Sequence, residues 1–173
     1  MAVPKPLILN DASIKLGTTT GDNYAALKEL ACVASHVELT PDVSVTTVDT
    51  MCGSKDYPGT VKWALIATFV QSFDTDATED VLSAALAASE AAGGAGIPFA
   101  VSGYKGAISA TNPVWTGKVI PQPYSPINGD AGDASEVEIE WSLEEEPVKS
   151  ETTPTMAAFS SEEASSSTSK KAA

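Results

Sequence analysis

The sequence predicts a mainly β protein, a β-sandwich or half-barrel flanked by one α-helix. Residues 135–146 alternate in polarity with the period of two that is typical of β-strands, and residues 61–73 are apolar on both faces, as in a strand covered on both sides. One stretch beginning at Asp76 instead repeats its apolar residues at helical spacing, and Gly93 and Gly94 end it. Many strands around a single helix are the pattern of a mainly β fold.

The first third of the chain is predicted to form strands separated by turns. A first strand is expected at residues 7–16, and a Gly/Thr-rich turn follows it. Residues 24–48 suggest further strands, because valine and threonine alternate with polar residues after the turn at Pro41. Residues 49–60, DTMCGSKDYPGT, carry two glycines and a proline among polar residues, and we expect a long loop there.

The strand at residues 61–73 is the strongest strand signal in the chain. Val61, Trp63, Leu65, Ala67 and Phe69 share one face of this strand. The opposite face is more apolar than a solvated face should be, which indicates protein on both sides, at either the centre of a sandwich or a subunit contact. The residues of this candidate contact are Lys62, Ala64, Ile66, Thr68 and Val70.

The remainder of the chain is predicted to hold the helix, three more strands and a tail. Strands are expected at residues 99–104 and 114–120, and a loop separates them from the last strand, which ends near Glu144. The Ser/Thr/Glu/Ala-rich end has few apolar anchors to offset the entropy of ordering. We therefore divide the chain into an N-terminal arm (1–6), a β-sandwich domain (7–149) and a flexible C-terminal tail (150–173).

The last strand, SEVEIEWSLEEE, carries a row of carboxylates. Glu136, Glu138 and Glu140 alternate with apolar residues, so the three side chains are expected on one outward face. A charge run of this kind is compatible with an ordinary solvated surface as well as with a functional one.

The composition points away from nucleic-acid recognition. The net charge is −13, and all 10 basic residues are lysine. Arginine is the preferred donor for bidentate contacts to phosphates and base edges, so specific binding is not expected. The start of the chain lacks the apolar core of a secretory signal, and its longest apolar run is too short to cross a bilayer. We therefore expect assembly inside the cell, without membrane insertion.

No enzymatic pattern stands out in the sequence. His36 is the single histidine, and nothing in its spacing from Cys52 supports a catalytic dyad. Asp130, Asp133 and Glu136 offer oxygen ligands for calcium but lack the residue order of a known calcium loop. We expect no catalytic activity, no cofactor and no metal. Cys32 and Cys52 could pair with each other, but free thiols are the expected state.

Three stretches together resemble the major tail (tail tube) proteins of long-tailed phages with flexible, non-contractile tails. They are VELTPDVSVTTVDTMCGSKDYPGTVKWALIATF, DATEDVLSAAL and NPVWTGKVIPQPYSPINGDAGDASEVEIEWSLEEEPVKS. The most specific part is the order of strand, TTVDTMCG loop, tryptophan strand, helix and final glutamate strand. The resemblance covers residues 30–150.

The resemblance implies a structural role. Two packed sheets flanked by one helix would join across subunits into a hexameric ring, and stacked rings would form the hollow tail tube through which phage DNA passes during ejection. It implies inter-ring contacts from the loop residues Asp49, Lys55, Asp56 and Tyr57, and it makes Glu136, Glu138 and Glu140 candidates for a lumen wall that repels DNA. The implied partners are further copies of the chain and, at the tube ends, tape measure, terminator and distal tail proteins. The implied location is the virion tail after assembly in the host cytoplasm.

Two other classes of function stay open at this point. A β-sandwich adhesion or capsid-decoration module would predict saturable binding to a host surface or shell. A carboxylate-dependent hydrolase would predict an activity that is lost when a single acid is changed.

Overall fold

A computed structural model describes residues 12–154 of the 173-residue chain. The predicted N-terminal arm (1–6), the start of the predicted first strand (7–11) and most of the predicted C-terminal tail (155–173) lie outside these residues.

The described chain folds into eight strands and one helix, and every strand pairing is antiparallel. The strands follow the order β2-β1-β5-β6-β7-β4-β3, and β8 pairs with the first half of β6. The elements are β1 (Ser13–Leu16), β2 (Lys28–Glu29), β3 (Ala34–Thr50), β4 (Gly53–Val70), α1 (Thr78–Ala91), β5 (Ile97–Ser102), β6 (Val114–Ile120), β7 (Glu136–Leu143) and β8 (Val148–Ser150).

The sheet consists of two halves that enclose one core. One half is β2-β1-β5-β6 and the other is β7-β4-β3, and only two residue pairs, Val119 with Leu143 and Ile120 with Ser142, join β6 to β7. Side chains from both halves and from α1 pack together. The largest fully buried members are Trp141, Phe69, Phe99, Leu16, Leu30, Leu65 and Leu82. This arrangement confirms the predicted mainly β, sandwich-like fold.

The single helix lies where the sequence predicts it. It begins at Thr78, where the Asp80 carboxylate accepts a hydrogen bond of 2.9 Å from the backbone N–H of Asp76. It ends at Ala91, and Gly93 and Gly94 follow with φ angles of 74° and 89°, which favour glycine. Its apolar stripe, Val81, Leu82 and Ala85, is buried in the shared core.

The prediction of a long loop at residues 49–60 is wrong. β3 and β4 stay paired as far as Thr50 and Gly53, so these residues form the end of a long hairpin with a two-residue turn. The glycines that suggest a loop have local roles instead. Gly53 has a φ of 117° beside the turn, and Gly59 lies at a bulge where an added Cβ would come within 2.8 Å of the Ser44 carbonyl oxygen.

The ends of two other predicted segments shift. β5 runs from Ile97 to Ser102. Each of its ends lies two residues before the corresponding end of the predicted strand at residues 99–104. β8 crosses the predicted boundary between the domain and the tail, because Val148 to Ser150 pair with β6.

Candidate functional site

The half-sheet β7-β4-β3 has one buried side and one acidic side. Leu65, Ala67 and Phe69 of β4 are 0% exposed and point into the core. The alternate residues point away from it, because successive side chains of a strand lie on opposite faces. We call this outward side the acidic face. Its carboxylates are Glu136, Glu138 and Glu140 of β7 and Glu38 and Asp42 of β3.

Strand register sets how these carboxylates are spaced. Ile66 of β4 lies opposite Glu140 of β7 on one side and opposite Glu38 of β3 on the other. One row along, Thr68 lies between Glu138 and His36. The carboxylates of β3 and β7 therefore flank the uncharged side chains of the central strand.

Basic groups on this face are few. Lys62 lies opposite Asp42, and the Nε2 atom of His36 is 3.5 Å from a carboxylate oxygen of Glu38. Within residues 12–154, the glutamates of β7 have no ion-pair partner. Successive glutamates along β7 are about 6.6 Å apart, which costs about 0.6 kcal/mol per pair in water. This repulsion is small compared with the stabilisation from the buried side chains of the same strand.

The alternating pattern of β7 predicts its three exposed glutamates, but sequence reasoning missed Glu38 and Asp42. Both lie on β3 at alternate positions, with Val37 and Leu39 packed against the core between them. The same period-two alternation at residues 36–42 was the signal that could have identified them.

The strand predicted as a subunit contact is the central strand of this half-sheet. Its residues from Ala64 to Phe69 lie between β7 on one side and β3 on the other, so this part of β4 is not at an edge of the sheet. The predicted contact residues lie on the acidic face with the glutamates: Lys62 and Val70 are exposed, and Ala64, Ile66 and Thr68 are half-buried. A role for these side chains in subunit contact stays a prediction.

The free backbone edges belong to the two outer strands. In the part of the chain that the structure describes, no strand pairs with the outer edge of β3, and β6 reaches β7 only at Ser142 and Leu143. Beyond that point the register would place Pro121 and Pro123 beside β7, and proline has no N–H to continue the ladder.

A polar groove therefore lies along the unpaired edge of β7. It has a volume of about 400 Å³ and runs between residues 138–142 and the segment 122–124. The indole Nε1–H of Trp141 donates a 3.1 Å hydrogen bond to the Gln122 carbonyl and holds this segment in place.

The end of the β3–β4 hairpin projects from the body. We call residues 41–62 the arm, because the last pairing of β4 with β7 is at Ala64 and Ser142. Every arm residue whose side chain is described is exposed. At the usual rise of a strand, Pro41 and Thr50 are about 30 Å apart. Apolar side chains along the arm face solvent: Val43 is 47% exposed, Val45 58%, Val48 43%, Tyr57 53% and Val61 48%.

The predicted inter-ring residues all lie on the outer part of the arm. Asp49 accepts a hydrogen bond from the Ser54 hydroxyl, and Asp56 accepts one of 2.7 Å from Thr47 Oγ1. Lys55 lies opposite Val48, and Tyr57 lies opposite Thr46. The structure thus brings Asp49, Lys55, Asp56 and Tyr57 together on one projecting element, where they are exposed.

The other residues considered for chemistry do not come together. Cys52 lies at the tip of the arm and His36 near the start of β3, on the order of 50 Å away along the strand. Over residues 12–154, no group of three acidic, histidine or cysteine side chains could hold a metal ion. Cys32 and Cys52 are free and exposed. No helix in the described part of the chain is long and apolar enough to cross a membrane.

The chain matches known proteins in structure and not in sequence. No protein-family model matches the chain, and no curated protein matches its sequence. A chain from the tail of an empty gene transfer agent (GTA) particle, refined helically with C6 symmetry, is similar in structure. The TM-score is 0.55 at 14% identity, and the match covers 81% of this chain and 96% of that one. A chain from the virion of a native gene transfer agent particle gives a TM-score of 0.54 at 10% identity, over 81% and 95% of the two chains. The chain therefore has the fold that its resemblance to tail tube proteins implies, and it shares that fold with a chain in the tail of a gene transfer agent particle.

Proposed function

We propose that this chain is the structural subunit of a tail tube, the conduit for DNA ejection. Copies join sheet to sheet into hexameric rings, and the rings stack into a hollow tube. The observation that carries the proposal is the half-sheet β7-β4-β3, which combines a covered core side, an acidic outer side and unpaired backbone on both outer strands. The shared fold with a chain in a tail of C6 symmetry supports it.

The free edges supply the ring contact in this proposal. The outer edge of β3 in one copy pairs with the β7 side of the next, which satisfies backbone groups that would otherwise invite uncontrolled pairing. Both strands are antiparallel to β4, so they run parallel to each other. Copies related by rotation about the tube axis keep that direction. The junction is therefore a parallel one.

The layered shape of the subunit supports a position of the acidic face in the lumen. The core side of the half-sheet is covered by the other half-sheet and by α1. We put this second layer on the outside of the proposed cylinder, where the circumference is larger. Glu136, Glu138 and Glu140 then line the channel, together with the half-buried Ile66 and Thr68.

A lumen wall of this kind repels DNA instead of binding it. Phosphates and carboxylates carry the same charge, and contacts to lysine or arginine, which drive non-specific DNA binding, are scarce on this face. At physiological salt the repulsion extends about 8 Å from the wall, which is enough to keep a passing duplex from adhering. The proposal assigns no catalytic residue.

The arm supplies the contact between rings. A two-stranded ribbon is at best marginally stable alone in water, and this one exposes Val45, Val48 and Tyr57. Packing against the next ring would bury these side chains, and Asp49, Lys55 and Asp56 would supply polar contacts around them. Tape measure, terminator and distal tail proteins would meet the tube at its ends in a virion tail assembled in the host cytoplasm.

Electron microscopy of the purified chain, concentrated and compared with phage tails, tests the proposal. We expect rings or tubes in the purified sample. A chain that stays monomeric under every condition and is absent from tails would contradict it, and saturable binding to a host surface or a capsid by such a monomer would favour the adhesion or decoration class.

Disulfide mapping tests the parallel junction. In a Cys32→Ser, Cys52→Ser background, single cysteines are placed along residues 34–40 and 136–141 and combined in pairs. After assembly and oxidation, we expect cross-links between copies in which the β3 and β7 positions increase together. Cross-links in which one position increases as the other decreases would reject the parallel junction, and the same pairs in unassembled protein serve as the control.

A further inference from the structure

The outer part of the arm has two sides of different chemical character. Side chains of cross-strand partners lie on the same face of a two-stranded ribbon, and successive pairs alternate between the two faces. The pairs Thr46 with Tyr57 and Val48 with Lys55 therefore share one face, which we call the lysine side. All four residues are exposed, so the lysine side combines apolar surface with one positive charge.

The opposite side of the outer arm is acidic, and its carboxylates already have partners. Thr47 Oγ1 donates a hydrogen bond to Asp56, and the Ser54 hydroxyl donates one to Asp49. Lys55 on the lysine side has no ion-pair partner within residues 12–154. The lysine side is therefore the side of the arm on which a charged group is left for an external contact.

A second exposed apolar surface lies at the other end of β4. Phe73 follows this strand and is 69% exposed, and Ile127 is 74% exposed. The two residues belong to adjoining segments, because the side-chain amide of Gln71 donates a 2.6 Å hydrogen bond to the Pro126 carbonyl. We call Phe73 and Ile127 the end patch.

Acidic residues flank the end patch in the sequence. Asp74 follows Phe73, Asp130 and Asp133 follow Ile127, and all three carboxylates are exposed. None of the three forms an ion pair with another residue in the described part of the chain. The end patch thus offers apolar surface beside negative charge, which complements the lysine side in both respects. The acidic side of the arm does not fit it, because carboxylates would meet carboxylates.

A single chain cannot bring these two surfaces together. Tyr57 and Phe73 lie on the order of 50 Å apart along β4 and its continuation, at the usual rise of a strand. The lysine side of one copy can therefore meet the end patch only on a second copy. A contact between two different surfaces of identical chains is head-to-tail, so it can continue from copy to copy.

We propose that the lysine side of the arm docks on the end patch of a second copy. Val48 and Tyr57 pack against the apolar side chains of the patch, and Lys55 lies among its carboxylates. The inference rests on the proposed tail tube, in which it identifies the surface of the next ring that receives the arm.

Photo-cross-linking of the full-length protein tests this contact. p-Benzoylphenylalanine replaces Tyr57, the protein is irradiated under the conditions used for electron microscopy, and the products are mapped by mass spectrometry. We expect cross-links to the peptides that contain Phe73 or Ile127. On a denaturing gel they should form a ladder of dimers, trimers and larger species, since each copy carries both surfaces. Cross-links that join arm to arm, or that map to another surface, would overturn the proposal.

The same label in place of Asp56 is the matched control, because this neighbouring residue lies on the opposite side of the arm. It should lose the cross-links to the end patch, and an equal yield from both labels would reject the lysine side as the docking side. Electron microscopy of the same samples separates this inference from the tube proposal. Tubes without the ladder overturn the docking contact alone, whereas a ladder without tubes supports the contact and counts against the rings. The absence of both would overturn both.

Substitution of the end patch gives a second readout. The variant Phe73→Ser, Ile127→Ser should raise the protein concentration at which tubes form by about tenfold or more, because it removes the apolar part of the contact. Val148→Ser is the control, since Val148 is also exposed but lies on β8, and it should assemble like the unmodified protein. Circular dichroism checks that both variants are folded. Equal assembly of the two folded variants, measured by sedimentation, would count against the docking contact.

Discussion

Ile66 of the central strand lies directly opposite Glu140 of β7, on the side of the sheet that faces away from the core. This pairing places a strand of largely uncharged side chains between two rows of carboxylates, because Glu38 is the partner of Ile66 on the other side. The candidate lumen residues and the candidate subunit-contact residues thus share one face of the sheet. Under the proposed assembly, this one face would line the channel.

Reversing the charge of the acidic face should slow DNA passage without preventing assembly. We expect the variant Glu136→Lys, Glu138→Lys, Glu140→Lys to form normal tubes, because these side chains are exposed and do not support the core. DNA ejection should be slowed or blocked, because lysines retain phosphates by releasing counterions, and added salt should partly restore it. Infectivity and the rate of ejection are the measurements.

The matched control for that variant is Glu90→Lys, Glu145→Lys, Glu146→Lys. These three glutamates are also exposed and the net charge changes by the same amount, but they lie outside the acidic face. Normal ejection in the acidic-face variant, or an equal defect in both variants, would refute the lumen placement.

Substitutions at Leu65 and Val61 of β4 should affect folding stability and tube assembly differently. Leu65→Ala removes a side chain that is 0% exposed and should lower the free energy of unfolding by about 2–5 kcal/mol. Val61→Ala changes a residue that is 48% exposed and should alter stability by no more than about 0.5 kcal/mol. We expect Val61→Ala to weaken tube formation nonetheless. Urea denaturation and sedimentation measure the two effects, and a Val61 variant that assembles normally would argue against burial of the arm.

The bulge in the arm should depend on Gly59. A Cβ there would lie 2.8 Å from the Ser44 carbonyl oxygen, so Gly59→Ala must shift the backbone and redirect the outer part of the arm. We expect unfolding of the body to change by less than about 0.5 kcal/mol, since the arm is exposed, while tube formation is lost. Gly21→Ala is the control, because nothing lies within 4 Å of its Cβ position. Equal assembly of the two variants would contradict a stacking role for the arm.

The phenol of Tyr124 should ionise at a higher pH than an ordinary tyrosine. Burial raises the pKa of Tyr124 to about 12 from its ordinary value of 10.0, and the charge of Glu79 and a hydrogen bond with it act in the same direction. Because the folded state holds this proton more tightly than the unfolded state, the contribution to stability is complete below pH 10 and is lost as the pH rises toward 12. Ultraviolet titration of the phenols should show a late step that Tyr124→Phe removes and Glu79→Gln shifts to lower pH. Tyr57→Phe should leave it in place.

The parts of the fold that the sequence predicts are those in which one local pattern decides the outcome. β7 alternates because one side of its half-sheet is buried, and α1 has both a helical stripe and glycines at its end. The hairpin at residues 49–60 was missed because Gly53 and Gly59 serve a turn and a bulge within paired strands, and their composition is the same as that of a loop.

Register and strand order are not local, and the candidate site depends on both. Nothing around Glu38 in the sequence indicates that Ile66 separates it from Glu140, because that relationship arises from pairing between distant segments. The open edge of β7 likewise arises because Pro121 and Pro123, which follow β6, have no N–H groups to continue its pairing with β7. Strand register and strand order can be read only from the folded sheet.

β4 runs from Gly53 at the turn to Val70 beside Glu136, with a bulge at Gly59 inside the arm. Under the proposed assembly, its first half touches the neighbouring ring and its second half forms the channel wall. A tilt imposed at a joint between rings would therefore reach the wall of the ring below through the same strand. Each copy would thus couple bending of the stack to the width of the channel, and the bulge at Gly59 is the point where β4 itself can bend.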